Sequence, residues 1–442
     1  MTYHFISIGG AVMHNLALAL HNMGHTITGS DDEIFEPAKS RLAKARLQPE
    51  KDGWYPEKIT TNLDGIILGM HARADNPELI KAKELGLKIY SFPEFVYEQS
   101  KSKQRIVIGG SHGKTTSTAM LMHILKESGK DFDYLVGSQL EGFETMVKLS
   151  NAPLIVIEGD EYLTSPLDLR PKFHLYLPQV AMLTGIAWDH INVFPTFDNY
   201  VEQFRIFVNQ LQPNAPLTYF DGDRVLHAVC EARKDLKLLP YSSHPHAIVN
   251  GKTYLIYNET EVPILFFGEH NLQNLSGVKA LALEAGVSEA AFYEAIATFG
   301  GTARRMETIK ETENSLFLRD FAHSPSKLKA TVQAVKQQFP DRKLVACFEL
   351  YTFSSLNKAF LKEYTGSMDK ADIRIVYFNP HTFELKRMEV LTEADIHNHF
   401  GTDVKVFTKP EELHQFLSNQ SWQNQNLLLM SSGTFNGMAI DF

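Results

Sequence analysis

The residues "GGSHGKTT" at 109–116 follow directly on the β-branched run "RIVI" and lead into "STAMLMHILKESG". Strand, glycine loop and helix in that order aim successive backbone N–H groups and the positive end of a helix at one point, which favours an anion. The predicted loop comprises Gly110, Ser111, His112, Gly113, Lys114, Thr115 and Thr116. Gly110 and Gly113 permit close approach, Lys114 supplies charge for the β/γ-phosphates of a nucleotide, and Thr115 offers a hydroxyl to Mg²⁺. The general pattern GxxxxGK[ST] wants a glycine where this chain has Ile108, so only the shorter form is present. A solvated glycine turn carrying a surface lysine is the competing reading of these residues alone.

A magnesium–nucleotide site also needs carboxylates at a neighbouring strand end. The apolar run in "LIVIEGDE" stops at Glu158, Asp160 and Glu161, and "VAMLTGIAW" is followed by Asp189 and His190. In a parallel sheet such C-terminal strand ends lie side by side, on the edge where ligands bind. Each cluster taken singly reads equally well as solvated loop. Together, and after a phosphate loop, they point to metal-assisted phosphoryl chemistry.

The elements that must hold these residues alternate between short β-rich runs and helical patterns, which predicts an α/β chain of parallel sheets flanked by helices. One series runs through "YHFISIG", "TITGSD", "DGIILG" and "KIYSF". A second starts at "RIVIGG" and continues through "LIVIEGDE", "VAMLTG", the helical "NYVEQFRIFVNQL", "APLTYF" and "VPILFFGEHN". A third runs from "SLFLRDFAH" through "KLVACFEL", "IRIVYFN" and "VKVF" to "NLLLMSSG". The 442 residues suit about three domains of ~150 residues each. The polar "YEQSKSKQ" and the glycine-rich "FGGTARR" mark the junctions, giving expected domains 1–103, 104–301 and 302–442.

Composition excludes several classes. Hydrophobic residues at 44% and charged residues at 21% describe an ordinary globular chain. A net charge of −9 argues against a nucleic-acid partner. Cys230 and Cys347 stand far apart without a zinc spacing, and a reducing cytoplasm is expected. No run approaches the ~18 apolar residues that span a bilayer, so no membrane insertion is expected. The start "MTYHFISIGGAVMHNLALAL" is broken by His14 and Asn15 and does not read as an export signal. The pairs His244/His246 and His397/His399 lack further ligands and read as surface residues.

The N-terminal "FISIGG" opens like a dinucleotide fold, but the fingerprint breaks after Gly9 and Gly10. Those glycines still offer a diphosphate cradle, and Asp31 beyond the second strand can accept from a ribose or uracil.

Seven ordered segments resemble one family, the Mur ligases, ATP-dependent amide-forming enzymes of peptidoglycan synthesis. They are "GGSHGKTTSTAM", "IEGDEY", "WDHINVF", "GEHNLQN", "RRMET", "RDFAHSP" and "MSSGTFNG", and they cover essentially the whole chain. The loop is similar to the form used by the branch acting directly on UDP-N-acetylmuramate. The resemblance implies a Rossmann-like UDP-sugar-binding domain, a central P-loop ATPase-type domain and a Rossmann-like C-terminal domain that binds the acceptor. It implies that Lys114 binds the β/γ-phosphates, Thr115 ligates one Mg²⁺, and Glu158 and His190 hold a second. Asn271 and Asn274 would meet the adenine side, Arg304 or Arg305 the phosphates and Asp320 the ribose, with His323 near the reacting groups. UDP-sugar binding is implied at Gly9, Gly10 and Asp31, with His71, Arg73 and Asn76 as a further wall. The implied protein is a monomer or weak homodimer using ATP and two Mg²⁺ ions.

Two acceptors are open within the branch, L-alanine and the peptide L-alanyl-γ-D-glutamyl-meso-diaminopimelate. Tyr162 and the run from Asp168 to Phe173 resemble the peptide-recycling ligases, which favours the peptide. Gly185 stands where the family has asparagine, and Ser324 where it has a second histidine. "FELYTFSS" lacks the arginine that follows the corresponding strand. Arg205 occupies the position where later ligases of the pathway carry a carbamylated lysine. Rival classes are a nicotinamide oxidoreductase, a non-catalytic UDP-sugar-binding protein, and a folate-type polyglutamate ligase.

Overall fold

The first four strands are β1 (Thr2–Ile6), β2 (Thr26–Ser30), β3 (Gly65–Leu68) and β4 (Ile89–Ser91). In the computed structural model they form an all-parallel sheet in the order β2-β1-β3-β4. The structure describes every residue except 71, 141, 166, 189–192 and 303–304. Helices α1 (Ala11–Asn22), α2 (Ala38–Lys44), α3 (Pro77–Glu84) and α4 (Phe92–Ser100) accompany this sheet. The start of α4 is written in its sequence: Ser91 and Glu94 form a reciprocal capping box, with proline in the first turn. The first half of "YEQSKSKQ" is therefore helical, and the chain turns only at 101–103 before the next strand.

The second sheet holds β5 (Gln104–Gly109), β6 (Asp133–Leu135), β7 (Val147–Lys148) and β8 (Leu154–Glu158), then β11 (Val180–Leu183), β12 (Pro216–Phe220) and β13 (Lys237–Tyr241). Between β8 and β11 lies a small antiparallel hairpin, β9 (Leu163–Ser165) and β10 (Asp168–Pro171). The order is β13-β12-β11-β5-β8-β6-β7, and all pairings are parallel except β6 with β7. Ile106, Val107, Ile108, Ile155, Val156 and Ile157 are wholly buried, the continuous apolar pattern of strands covered on both faces. Helices α5 (Lys114–Glu127), α6 (Phe197–Asn209), α7 (Arg224–Glu231) and α8 (Glu269–Glu284) follow. Because β5 is central and α5 leaves its C-terminal end, the phosphate loop sits at mid-sheet between the ends of β8 and β11.

Strands β14 (His246–Val249), β15 (Lys252–Tyr257) and β16 (Thr260–Ile264) form an antiparallel sheet, and so correct the expectation that "VPILFF" continues the parallel series. Turn chemistry decides it: Asn250 with Gly251 and Asn258 with Glu259 all have positive φ, as two-residue hairpin turns require. His244, just before β14, is buried rather than on the surface.

The last sheet comprises β17 (Glu307–Glu311), β18 (Leu316–Asp320), β19 (Lys343–Glu349), β20 (Ile373–Tyr377), β21 (Lys405–Phe407) and β22 (Gln425–Met430). Its order is β17-β18-β22-β19-β20-β21, parallel apart from the antiparallel edge strand β17. The chain divides into two compact units, Met1–Ser242 with Asn274–Ile296, and Ser243–Gln273 with Ala297–Phe442. Among the described residues no helix is long and apolar enough to cross a membrane.

Candidate active site

The loop after β5 is held from three sides. Gly110 has φ +124 and Gly113 φ +82, the left-handed region that side chains disfavour. A Cβ on Gly110 would stand 2.1 Å from Thr184 Oγ1, and one on Gly113 would stand 2.5 Å from Asn274 Oδ1. Ser111 N donates to the Gly185 carbonyl at 3.0 Å, and Ser111 Oγ accepts from Ala187 N at 2.8 Å. Gly113 caps α5 with no side chain, so no side-chain cap competes for its first-turn N–H groups.

Parallel pairing sets Ile108 beside Glu158, which brings the acidic end of β8 to the loop. The three carboxylates then separate. Glu158 accepts from Thr115 Oγ1 at 2.8 Å through one oxygen and from Gly137 N at 2.8 Å through the other. Glu161, 1% exposed, accepts from Lys114 Nζ at 2.6 Å and from the Tyr200 hydroxyl at 3.1 Å. Asp160 pairs with Lys172 at 2.6 Å. Lys114 also donates to the Gly110 carbonyl at 2.6 Å. Burial opposes the charge on Lys114, but Glu161 and Asp160 outweigh it and hold its pKa above the usual lysine value. Burial likewise pushes Asp160 up, and Lys172 and Lys114 bring it below the usual aspartate value.

Three family profiles match in chain order: the Mur ligase family catalytic domain at residues 2–104, the Mur ligase middle domain at 108–282, and the Mur ligase glutamate ligase domain at 304–433. A UDP-N-acetylmuramate–L-alanine ligase of Limosilactobacillus reuteri is 30% identical, over 84% of this chain and 83% of its own. The chain belongs to the Mur ligase family. Members are ADP-forming ligases, so this is an enzyme of that class. The enzyme named UDP-N-acetylmuramate–L-alanine ligase in Sulfurihydrogenibium is 27% identical over 99% of this chain and 96% of its own. Among solved structures, the fold is shared with UDP-N-acetylmuramate-alanine ligase of Thermotoga maritima. That match has a TM-score of 0.70 at 21% identity, over 99% of this chain and 97% of that one. It is also shared with the murein peptide ligase of Psychrobacter arcticus, with a TM-score of 0.65 at 24% identity over the same shares.

The donor set of this Mur ligase fits a magnesium-bound triphosphate. A glycine cradle, a helix N-terminus and Lys114 suit phosphate oxygens, and the Thr115 hydroxyl against Glu158 offers the oxygen ligands a hard divalent cation takes. His190, expected as a metal ligand, lies outside the described residues, as do Arg304 and His71. Asn274 reaches the loop through Gly113, whereas Asn271 spends its amide on the Phe267 carbonyl at 2.8 Å. Thr116 is buried in the first turn of α5, and His112 Nδ1 lies 2.7 Å from the Ser111 carbonyl.

In the second unit both oxygens of Asp320 are engaged, one by Met306 N at 2.8 Å, the other by Ala322 N at 2.8 Å and Thr331 Oγ1 at 3.3 Å. Arg305 lies over the Phe321 ring at 5.6 Å, and His323 Nδ1 contacts the Phe321 carbonyl at 2.8 Å. At the end of β19, Glu349 turns inward and accepts from Phe435 N at 2.8 Å.

On the first sheet, Gly9 N donates to Asp31 Oδ2 at 2.7 Å and Gly10 is the N-cap of α1. Burial pushes the Asp31 carboxyl up to about 7, although the Gly9 N–H pulls it down. Arg73 is exposed. Asn76 is buried and caps α3, its oxygen accepting from Glu78 N at 3.0 Å and Leu79 N at 3.1 Å. Gly185 has φ +141, a backbone region that L side chains rarely adopt. Arg205 pairs with Glu202 on an exposed face of α6.

Sequence reasoning missed Tyr200 and Lys172. Tyr200 reads as one more apolar residue of an amphipathic helix, and nothing in its spacing marks the hydroxyl. Lys172 does stand in the Asp168–Phe173 run, where its reach to Asp160 depends on the β9–β10 hairpin.

Proposed function

We propose that this Mur ligase joins the carboxylate of UDP-N-acetylmuramate to the amine of L-alanyl-γ-D-glutamyl-meso-diaminopimelate, consuming ATP, in peptidoglycan recycling. The observation that carries the ATP-dependent part of this reading is the pairing of Thr115 with Glu158 and of Lys114 with Glu161 around one phosphate loop. A carboxylate resists amines because its carbonyl is electron-rich and its leaving group poor. One of its oxygens attacks the γ-phosphorus of ATP, the bond to the β–γ bridging oxygen breaks, and ADP departs. The acceptor amine then adds to the acyl phosphate, loses a proton, and the tetrahedral intermediate expels phosphate.

Lys114 balances charge on the β- and γ-phosphates, and Glu161 fixes its direction. The N–H groups of the loop and of the first turn of α5 hold the phosphate oxygens. Thr115 and Glu158 would hold one magnesium ion, and Glu158 and His190 a second; bound there, the metal would supply Lewis-acid neutralisation of phosphate charge. Asn271 and Asn274 face the adenine, Arg304 or Arg305 the phosphates, Asp320 the ribose, and His323 the reacting groups. Gly9, Gly10, Asp31, His71, Arg73 and Asn76 line the UDP-sugar site. The working domains are 1–103, 104–301 and 302–442, and closure of the last over the central one excludes water from the acyl phosphate. The protein works in the cytoplasm as a monomer or weak homodimer.

L-Alanine is the second reading, supported by the names of the relatives at 27% and 30% identity. Incubation with ATP, Mg²⁺ and UDP-N-acetylmuramate, offering L-alanine and the tripeptide separately, tests both. Mass spectrometry should find the tripeptide adduct. An L-alanine adduct alone would transfer the assignment to the second reading.

A further inference from the structure

Two lysines reach the acidic end of β8, and they approach it differently. Lys114 is already committed, donating to the Gly110 carbonyl at 2.6 Å and to Glu161, whose side chain is 1% exposed. Lys172 arrives from β10. Its N–H donates to the Tyr162 carbonyl at 3.0 Å, and its ammonium stands 2.6 Å from Asp160 Oδ2 and 5.8 Å from the centre of the Tyr162 ring. Asp160 is fixed in turn, since its second oxygen accepts from Tyr162 N at 3.2 Å and its carbonyl accepts from Phe173 N at 3.0 Å. The Asp160 side chain is 38% exposed. The two lysines are similarly exposed, at 15% and 18%; what differs is the carboxylate, sealed at Glu161 and open to a solute at Asp160.

An ammonium carries three protons. Among the described residues Asp160 is the one carboxylate paired with Lys172, so donors remain for a ligand. The neighbourhood needs such a cation. Glu158, Asp160 and Glu161 bring three negative charges to this strand end, and a sugar acid must set its own carboxylate against a further anion, the γ-phosphate.

We propose that Lys172 receives the carboxylate of the sugar-acid donor, with Asp160 as the positioning residue that aims it. This rests on reading the site as a carboxylate-activating ligase. A lysine suits the task better than an arginine. A guanidinium fork engages both carboxylate oxygens at once, whereas a point charge pairs with one and leaves the other to attack phosphorus.

The test compares binding of UDP-N-acetylmuramate and its carboxamide to the full-length protein, by calorimetry with magnesium and a nonhydrolysable ATP analogue. The parent should prefer the acid by about tenfold or more, as expected of one charge-assisted hydrogen bond. Lys172→Gln should bind acid and amide alike, with the parent's affinity for the amide, which also shows that the variant is folded. Lys172→Arg should keep the preference yet turn over more slowly. A Lys172→Gln protein that still prefers the acid, or a parent with no preference, overturns the inference while the ligase reading stands. A parent that binds neither sugar overturns the ligase reading itself.

Discussion

The Tyr200 hydroxyl donates to one oxygen of Glu161 at 3.1 Å while Lys114 Nζ donates to the other at 2.6 Å. Ser111 Oγ lies 2.9 Å from the Tyr200 oxygen and accepts from Ala187 N at 2.8 Å. A single donor chain therefore runs from the segment after β11, through the phosphate loop and α6, to the carboxylate that also pairs with the lysine. Its proton directions follow from the Glu161 carboxylate being an acceptor only: Tyr200 donates its one proton to Glu161, so Ser111 donates to Tyr200.

Breaking one side of that buried pair should be costly. Glu161→Ala leaves the Lys114 ammonium uncompensated and should destabilise the protein by about 3–5 kcal/mol, whereas Lys114→Met with Glu161→Leu should recover much of the loss. Chemical unfolding of the parent and the two variants measures this. The double variant should still lack turnover, since stability and charge at the phosphates are separate roles of Lys114.

Gly110→Ala should weaken ATP binding by about 5- to 150-fold, the equivalent of the ~1–3 kcal/mol that a side chain stores in such a backbone region. The new Cβ would meet Thr184 Oγ1 at 2.1 Å, so the loop must move. Titration with a fluorescent nucleotide decides it, and an unchanged affinity would show that the loop need not keep this shape.

Much of the site was legible in the sequence because β8 and β5 are neighbours in a parallel sheet. That arrangement obliges the residues after "LIVI" to meet the residues after "RIVI". The partition of Glu158, Asp160 and Glu161 among three partners was not legible, because it depends on χ angles and on Tyr200 and Lys172, each supplied by a different element. Asn76 shows the opposite case. Its residue type suits a ligand wall, and the Pro77 that follows also makes it the N-cap of α3, so its side-chain oxygen is turned to that helix. In the β14–β16 sheet the first hairpin was legible in Asn250–Gly251, whereas the second was not, because Asn258–Glu259 takes positive φ without a glycine.

Chelation of magnesium should abolish turnover, and Glu158→Gln should raise the magnesium concentration for half-maximal rate by about tenfold or more. Thr115→Ser keeps the hydroxyl and should stay close to the parent, whereas Thr115→Val should behave like Glu158→Gln. Initial rates across a magnesium titration provide the comparison. If Glu158→Gln responds to magnesium as the parent does, the carboxylate has another task.

Asp31 gives a pH signature. Its carboxyl is raised from 3.8 to about 7 by burial, so the folded state holds the proton more tightly than the unfolded chain. The resulting stability is complete below pH ~4 and disappears as pH rises through about 7. Asp31→Asn removes the titration, so its melting temperature should gain on the parent's from pH 5 to pH 8. A difference that stays constant over this range would contradict the assignment.

The central claim is that the sugar acid's carboxylate takes the γ-phosphoryl group before the amine attacks. UDP-N-acetylmuramate labelled with ¹⁸O in its carboxylate should deliver one labelled oxygen to each inorganic phosphate released during ligation. Phosphate that carries no label while the amide product accumulates would contradict it.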